Sequence, residues 1–310
     1  MLKILRAGIY TTVQDLGRNG FRSLGISQGG ALDAPALKIA NLLVGNRADS
    51  AGLEITLGQF SAEFTRPGWI ALTGAGCDAL LDGKPLWTGW RYPVKAGQQL
   101  VLQKPKHGMR SYLAIAGGIA VPEVLGSRST DLRTGFGGLE GRKLQDGDQL
   151  PLGESANPPG KPFGVKQLLF NNRIRALPGP EYQEFSSAAR ETFWRTPWQL
   201  SPQSNRMGYR LQGSAELTRT TAREMLSHGL QPGVVQVPHN GQPIVLMADA
   251  QTTGGYPRIA CVIEADLYHL AQLRLGEPVH FIPCSLEDAQ RAKKEQDLFI
   301  QQIAWGLHDR

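Results

Sequence analysis

The sequence predicts a mainly β protein, organised as two β-rich domains with few helices. Three observations predict it. Thirty-seven glycines and 20 prolines are spread through 310 residues without a period, as expected of many short strands joined by tight turns. Helical periodicity is confined to a few short segments, and no strand-then-helix alternation recurs, which excludes Rossmann and TIM-barrel architectures. A Pro/Gly-rich stretch, GESANPPGKPFG at 153–164, marks a boundary between a domain at 1–157 and a second at 165–310.

Taken in order, a strand at Leu2–Leu5 precedes loops rich in Gly and Asn up to about residue 30. A helix follows over Leu32–Leu43, because Asp33 can cap it and Pro35 suits its first turn. Leu37, Ala40, Leu42 and Leu43 give it one buried face, and Gly45-Asn46 can end it in left-handed geometry. Short apolar runs then read as strands at 51–57, 59–64, 69–73, 79–81, 99–102 and 109–116. LDGKPL at 81–86 reads as a hairpin, since Asp-Gly supplies positive φ at both turn positions. In the second half, strands are expected at 166–169, 173–177, 209–211, 234–237, 244–248 and 259–264. Helices are expected at 182–193, 265–273 and from Glu287 to the end, with Glu287 and Arg291 as an i,i+4 pair.

Composition removes several classes of function. With 41% hydrophobic and 19% charged residues the chain is ordinary globular protein rather than disordered. Its net charge of +6 allows anionic substrates or partners. The densest basic run, Arg291 to Lys294, lacks interleaved aromatics and reads as a solvated helix face, so no nucleic-acid partner is expected. Cys77, Cys261 and Cys284 form no CxxC pair, which fits small buried thiols in a reducing cytoplasm. The N-terminus lacks an apolar signal core and no membrane-length apolar span occurs, so no membrane role is expected.

Catalytic signatures are equally sparse. No P-loop, no G-x-S-x-G elbow and no H-E-x-x-H occurs, and the histidines (107, 228, 239, 269, 280, 308) never fall at metal-ligand spacing. No metal site is expected. What remains are polar, Gly-punctuated loops. In TTVQDLGRNG, Asp15 can orient Arg18, whose fork suits a pair of anionic oxygens; the plainer reading is a loop salt bridge. In SNRMGYRL, Arg206 is a candidate anion-binding catalytic group beside Asn205, and the plainer reading is a scaffold arginine. In QTTGGYP, Gln251, Thr252, Thr253 and Tyr256 can hydrogen-bond a ligand, while Gly254 and Gly255 permit positive φ and close backbone approach.

These loops, read with VQDLGRNG, ANLLVGN, LEITLG, YLAIAGGI, LGSRST, RMGYRL and QTTGGYPRIA in that order, resemble one family over nearly the whole chain. It is the biotin-dependent carboxyltransferase family, also described as allophanate hydrolase subunit 2 or KipA-like, and within it the 5-oxoprolinase branch. One departure is Asn205, where the family has an acidic residue; Asn still offers a hydrogen-bond acceptor. The resemblance implies a cyclophilin-like β-barrel in the C-terminal domain. It also implies two partner chains, the B and A components of 5-oxoprolinase. The first is an allophanate hydrolase subunit 1-like partner, the second a lactam-hydrolysing partner. Together the three would open 5-oxoproline to glutamate at the expense of ATP, with ATP bound jointly with the subunit 1-like partner and Mg2+ accompanying the nucleotide.

The resemblance itself names no catalytic residue; from residue chemistry, Arg206, Asp15 and Arg18 are the catalytic candidates. Gln251, Thr252, Thr253, Gly254, Gly255, Tyr256 and Asn205 are the substrate- or nucleotide-binding ones, with the 251–256 turn expected at a site shared with the subunit 1-like partner. Two alternatives come with the family. One is half of a biotin-dependent carboxyltransferase acting on urea, although this chain has no Met-Lys-Met biotin acceptor of its own. The other is a non-enzymatic antagonist of a kinase inhibitor.

Overall fold

The computed structural model describes residues 1–221 and 225–308. They form two compact units, each interrupted in sequence. Unit 1 comprises Met1–Arg18, Gly29–Leu169 and Leu298–Arg310; unit 2 comprises Asn19–Gln28 and Phe170–Asp297.

Unit 1 carries β1 (Leu2–Arg6), β2 (Tyr10–Gln14), α1 (Ala34–Leu43), β3 (Gly52–Thr56), β4 (Phe60–Phe64), β5 (Gly68–Gly76) and β6 (Ala79–Leu81). There follow β7 (Lys84–Leu86), β8 (Trp90–Val94), β9 (Gln99–Leu102), β10 (His107–Ile115), β11 (Gln149–Leu150) and β12 (Phe163–Gly164). Among the described residues they make two six-stranded antiparallel sheets, ordered β11-β1-β4-β9-β6-β7 and β12-β8-β5-β10-β3-β2. Alternation along the strands builds one shared core from Leu2, Ile4, Phe60, Phe64 and Leu100 of the first sheet with Leu53, Ile55, Ile70, Leu72 and Leu113 of the second. The opposite face of the second sheet shows Ala71 and Ala114, small enough for α1 to pack Ile39, Ala40 and Leu43 against them. Asp33 caps α1 as expected, its Oδ1 accepting from the Ala36 N–H at 2.9 Å. Asp82 and Gly83 turn the β6–β7 hairpin at φ of 46° and 77°, as a two-residue hairpin loop requires.

Unit 2 carries β13 (Arg173–Pro178), α2 (Ser187–Arg195), β14 (Trp198–Leu200), β15 (Gly208–Gln212), β16 (His228–Gly229), β17 (Val234–Gln236) and β18 (Ile244–Leu246). After these come β19 (Thr253–Gly254), β20 (Arg258–Val262), α3 (Leu267–Gln272) and β21 (Pro278–Pro283). Seven strands close a barrel in the order β13-β20-β17-β18-β15-β14-β21. Closure is made by the parallel pairing of β13 with β21, from Arg173 opposite His280 to Ala176 opposite Pro283. α2 leans on the barrel through Phe193, whose ring stacks on Phe281 with centroids 4.6 Å apart. α4 (Leu286–His308) begins in unit 2 and ends in unit 1. The mainly β, cyclophilin-like architecture with few helices is therefore the one observed.

Several local expectations are corrected. Residues 166–169 are not a strand; the extended pair before them is β12. Tyr10–Gln14 is a strand where a loop was expected, and Trp90–Val94 is a strand that the sequence reading did not mark; their cross-strand partners in β3 and β5 supply the ladder. The helix expected at 182–193 is a 3-10 turn at Tyr182–Glu184 and then α2, restarted by Ser186 capping Ala189. In α4, Arg291 pairs with Asp288 at 3.8 Å rather than with Glu287, and residues 309–310 of the expected tail helix lie outside the described residues. The three cysteines are free and only partly buried.

Candidate functional site

The segment 205–208 is a tight turn held by its own asparagine. Asn205 Oδ1 accepts from the Met207 N–H at 2.8 Å and from the Gly208 N–H at 3.3 Å. This is the acceptor role left open to Asn at a position where the family has an acid. Next to it Arg206 is buried, and its fork is engaged by Asp249: Nε donates to Oδ2 at 2.8 Å and Nη2 to Oδ1 at 3.0 Å. The Asp249 N–H returns a bond to the Arg206 carbonyl at 3.0 Å. Arg206 thereby fixes the chain two residues before the Gln251–Tyr256 turn.

That turn is pinned on both sides. Thr253–Gly254 pairs antiparallel with His228–Gly229, and the Thr252 carbonyl accepts from the Leu230 N–H at 2.8 Å. Neither Gly254 nor Gly255 has a positive φ, so the expected conformational reason for the glycine pair is corrected. Close approach is the reason instead. A Cβ on Gly255 would lie 2.9 Å from the Met225 carbonyl oxygen, and one on Gly254 would lie 2.7 Å from Leu230 Cδ1. Downstream, the Arg258 fork grips Glu181 through two bonds of 2.7 Å. Burial pushes the Glu181 carboxyl up, but the Arg258 fork and backbone N–H outweigh it and leave the group below its ordinary value.

Gly255 and Tyr256 line a cavity of about 550 Å³ within unit 2, together with Glu216, Thr218, Arg219, Thr221 and His239. Such a volume lies in the range of small-molecule sites, about 300–1,000 Å³. Tyr256 is 43% exposed and meets the edge of the His239 ring at 6.1 Å. Its hydroxyl bonds no group among the described residues. Arg219 supplies a cation, steadied by the Glu184 carboxylate. Gly241, at φ of 67°, has no room for a side chain because Glu216 Cβ lies 2.6 Å from where its Cβ would stand; this brings residues 216–217 to the cavity wall. Among the sequence candidates Gly255 and Tyr256 reach this cavity. Thr218, Arg219, Thr221 and His239 were missed, since isolated Thr, Arg and His in a loop carry no periodic or spacing signal.

Asp15 and Arg18 belong to unit 1 and converge on the 127–129 loop. Asp15 Oδ1 accepts from the Ser127 and Ser129 hydroxyls, each at 2.6 Å, and from the Gly17 N–H at 2.8 Å; Oδ2 accepts from the Arg128 N–H at 2.5 Å. Arg18, also buried, donates to the Val124 and Ser129 carbonyls and lies over the Phe136 ring at 4.6 Å. Such geometry organises a loop. Among the described residues no group of three or more His, Cys, Asp or Glu could hold a metal ion, and no helix is long and apolar enough to cross a membrane.

Residues 24–283 match the family model described as carboxyltransferase domain, subdomain A and B. The chain is 69% identical to the C subunit of 5-oxoprolinase from Escherichia coli (strain K12), an alignment covering 100% of this chain and 99% of that protein. It is 46% identical to the corresponding 5-oxoprolinase chain of Haemophilus influenzae, over 98% of this chain and 97% of that one. Among solved structures, the urea amidolyase of K. lactis superposes with a TM-score of 0.91 at 30% identity, over 97% of this chain but 20% of that much longer protein. The family model, the full-length sequence likeness and the superposition agree, and the chain belongs to the carboxyltransferase domain family, subdomains A and B.

Proposed function

We propose that this chain is one member of an ATP-dependent 5-oxoprolinase complex, acting in the cytoplasm with a subunit 1-like partner and a lactam-hydrolysing partner to convert 5-oxoproline to L-glutamate. The observation that carries the reading is the 69% identity, over full length, to a protein named as the C subunit of 5-oxoprolinase. A five-membered lactam resists hydrolysis because amide resonance makes its carbonyl carbon a poor electrophile. Transfer of the γ-phosphoryl group of ATP to the lactam oxygen leaves ADP and an activated imidate. Water then adds to that carbon, the ring C–N bond opens to leave the γ-carboxyl as an acyl phosphate with a free amine, and a second water releases inorganic phosphate to give glutamate.

Such chemistry needs cations and oriented donors around spreading negative charge rather than a nucleophile. The cavity beside Tyr256 offers Arg219, two threonine hydroxyls and a tyrosine hydroxyl. Gln251, Thr252 and Thr253 sit on the same turn, at the face proposed to meet the subunit 1-like partner. In this reading Arg206 acts as a positioning residue through Asp249, and Asp15 and Arg18 position the 127–129 loop. Mg2+ would travel with the nucleotide phosphates, its remaining ligands lying outside the clusters this chain provides.

The purified chain and its two partners are assayed singly and together for ATP-dependent glutamate formation. Turnover is expected only from the full set; substantial turnover by the lone chain, or by the two partners without it, overturns the proposal. A second reading, carboxyl transfer from biotin to urea, draws on the TM-score of 0.91 to a urea amidolyase. Bicarbonate-dependent carboxylation of urea, when the chain is given its subunit 1-like partner and a biotinylated carrier, would favour it.

A further inference from the structure

Arg91 stands on β8, opposite Phe163 of β12. Only 4% of it is exposed. Nε donates to the Lys161 carbonyl at 3.0 Å, Nη1 to the Leu43 carbonyl at 3.1 Å, and the Phe163 ring centroid lies 5.7 Å from the guanidinium carbon. Nη2 donates to no acceptor among the described residues. No carboxylate among them compensates the charge, and burial alone lowers the pKa of the group.

A buried guanidinium without a counter-charge is costly, so what offsets it needs an account. The C-terminal end of α1 provides part of one, through the Leu43 carbonyl. A helix end amounts to roughly half a charge, and the neighbouring carbonyls are already taken: Asn41 by the Val44 and Asn46 N–H groups, Leu42 by the Gly45 N–H. Arg91 also lines a cavity of about 450 Å³ in unit 1, and it is the charged residue of that lining. Its other walls are mixed, with Leu42, Pro158, Pro159, Ala304 and Leu307 beside Asn46, Asn157, Gly45 and Gly160. A full charge with an open donor edge, flanked on part of the wall by two prolines and two leucines, suits a ligand that is anionic at one end and apolar along its body. A fully hydrated polyanion would gain little from the prolines and leucines.

We propose that this cavity is a binding site for a small organic carboxylate, its oxygens on the Nη2 edge of Arg91 and its apolar body against Leu42, Pro158, Pro159 and Leu307. The site is separate from the cavity beside Tyr256 and stands whether or not the proposed activity holds.

The probes are cyclopentanecarboxylate, its uncharged twin cyclopentanecarboxamide, and inorganic phosphate, each titrated into the full chain while the melting temperature is followed. The carboxylate is expected to raise Tm saturably, by about 3 °C well above its Kd, and the other two to do far less. Arg91→Gln should abolish the shift. Because Arg91 also ties down Leu43 and Lys161, a second variant, Ala304→Trp, fills the cavity from α4 while leaving those bonds intact; it too should abolish the shift. An equal shift with the amide removes the role of charge, and an equal shift with phosphate removes the apolar half of the proposal. A carboxylate shift that survives Ala304→Trp places the binding elsewhere. The last three outcomes each overturn the assignment.

Discussion

Arg206 and Asp249 are joined three times over, by two side-chain bonds of 2.8 and 3.0 Å and by a main-chain bond of 3.0 Å from the Asp249 N–H to the Arg206 carbonyl. Both residues are buried, so the pair is shielded from the solvent screening that makes surface ion pairs weak. It ties the turn at 205–208 to the chain entering the Gln251–Tyr256 turn. Asp249→Asn should lower stability by about 3–5 kcal/mol, the cost of breaking a buried pair from one side, read by urea denaturation. Activity of the reconstituted complex should fall in parallel. Lost activity at unchanged stability would instead give Arg206 a direct part in the chemistry.

Gly254 and Gly255 should respond differently to the same change. Gly255→Ala meets the Met225 carbonyl, a backbone atom that cannot step aside, whereas Gly254→Ala meets the far end of the Leu230 side chain. The first should cost about 1–3 kcal/mol, the ordinary range for overpacking, and the second under about 1 kcal/mol. Co-purification with the subunit 1-like partner should weaken for Gly255→Ala and persist for Gly254→Ala. Equal effects would refute the close-approach account.

Tyr256→Phe removes one hydroxyl that bonds nothing among the described residues, so the melting temperature should not move. If the cavity holds substrate, kcat/KM of the reconstituted complex should drop by about tenfold, equivalent to roughly 1.4 kcal/mol. Unchanged kinetics would remove Tyr256 from the site.

Asp15→Ala strips the acceptor from two hydroxyls and two backbone N–H groups. Loss of bonds to a buried charged acceptor should cost on the order of 3 kcal/mol. Amide exchange at residues 127–130 should accelerate accordingly. A variant of normal stability and no activity would restore Asp15 as a catalytic group.

His269 gives the protein an acid limb. Burial pushes its pKa down from 6.5 to about 4, and Nδ1 accepts from the Asn171 N–H at 3.2 Å, which fixes the neutral ring. The unfolded chain therefore binds a proton between pH 6.5 and 4 that the folded chain refuses, so stability rises with pH across that window. The contribution is complete above about pH 6.5 and is lost as pH falls toward 4; its size is on the order of 3 kcal/mol. His269→Gln should flatten the stability profile within that window. A profile unchanged there would assign the limb to other groups.

Much of this protein is legible in one dimension wherever a few neighbouring residues suffice. Asp33 and Pro35 announced the start of α1, Asp82-Gly83 the β6–β7 hairpin, and the abundance of Gly and Pro the mainly β class, because caps, turns and breakers act over about four residues or fewer. Loop residues of mixed polarity marked the turns that carry Asn205, Arg206 and Gln251–Tyr256. What those residues touch was decided by the tertiary structure alone. Arg206 could have been paired within its own chain or left open, and only the fold brings it to Asp249, 43 positions away. Barrel closure by β13 on β21, the assignment of residues 19–28 to unit 2, and the walls of the cavity beside Tyr256 all depend on pairings distant in sequence. Such contacts are chosen by which apolar faces can be buried together, and a local stretch of sequence does not specify its distant partner.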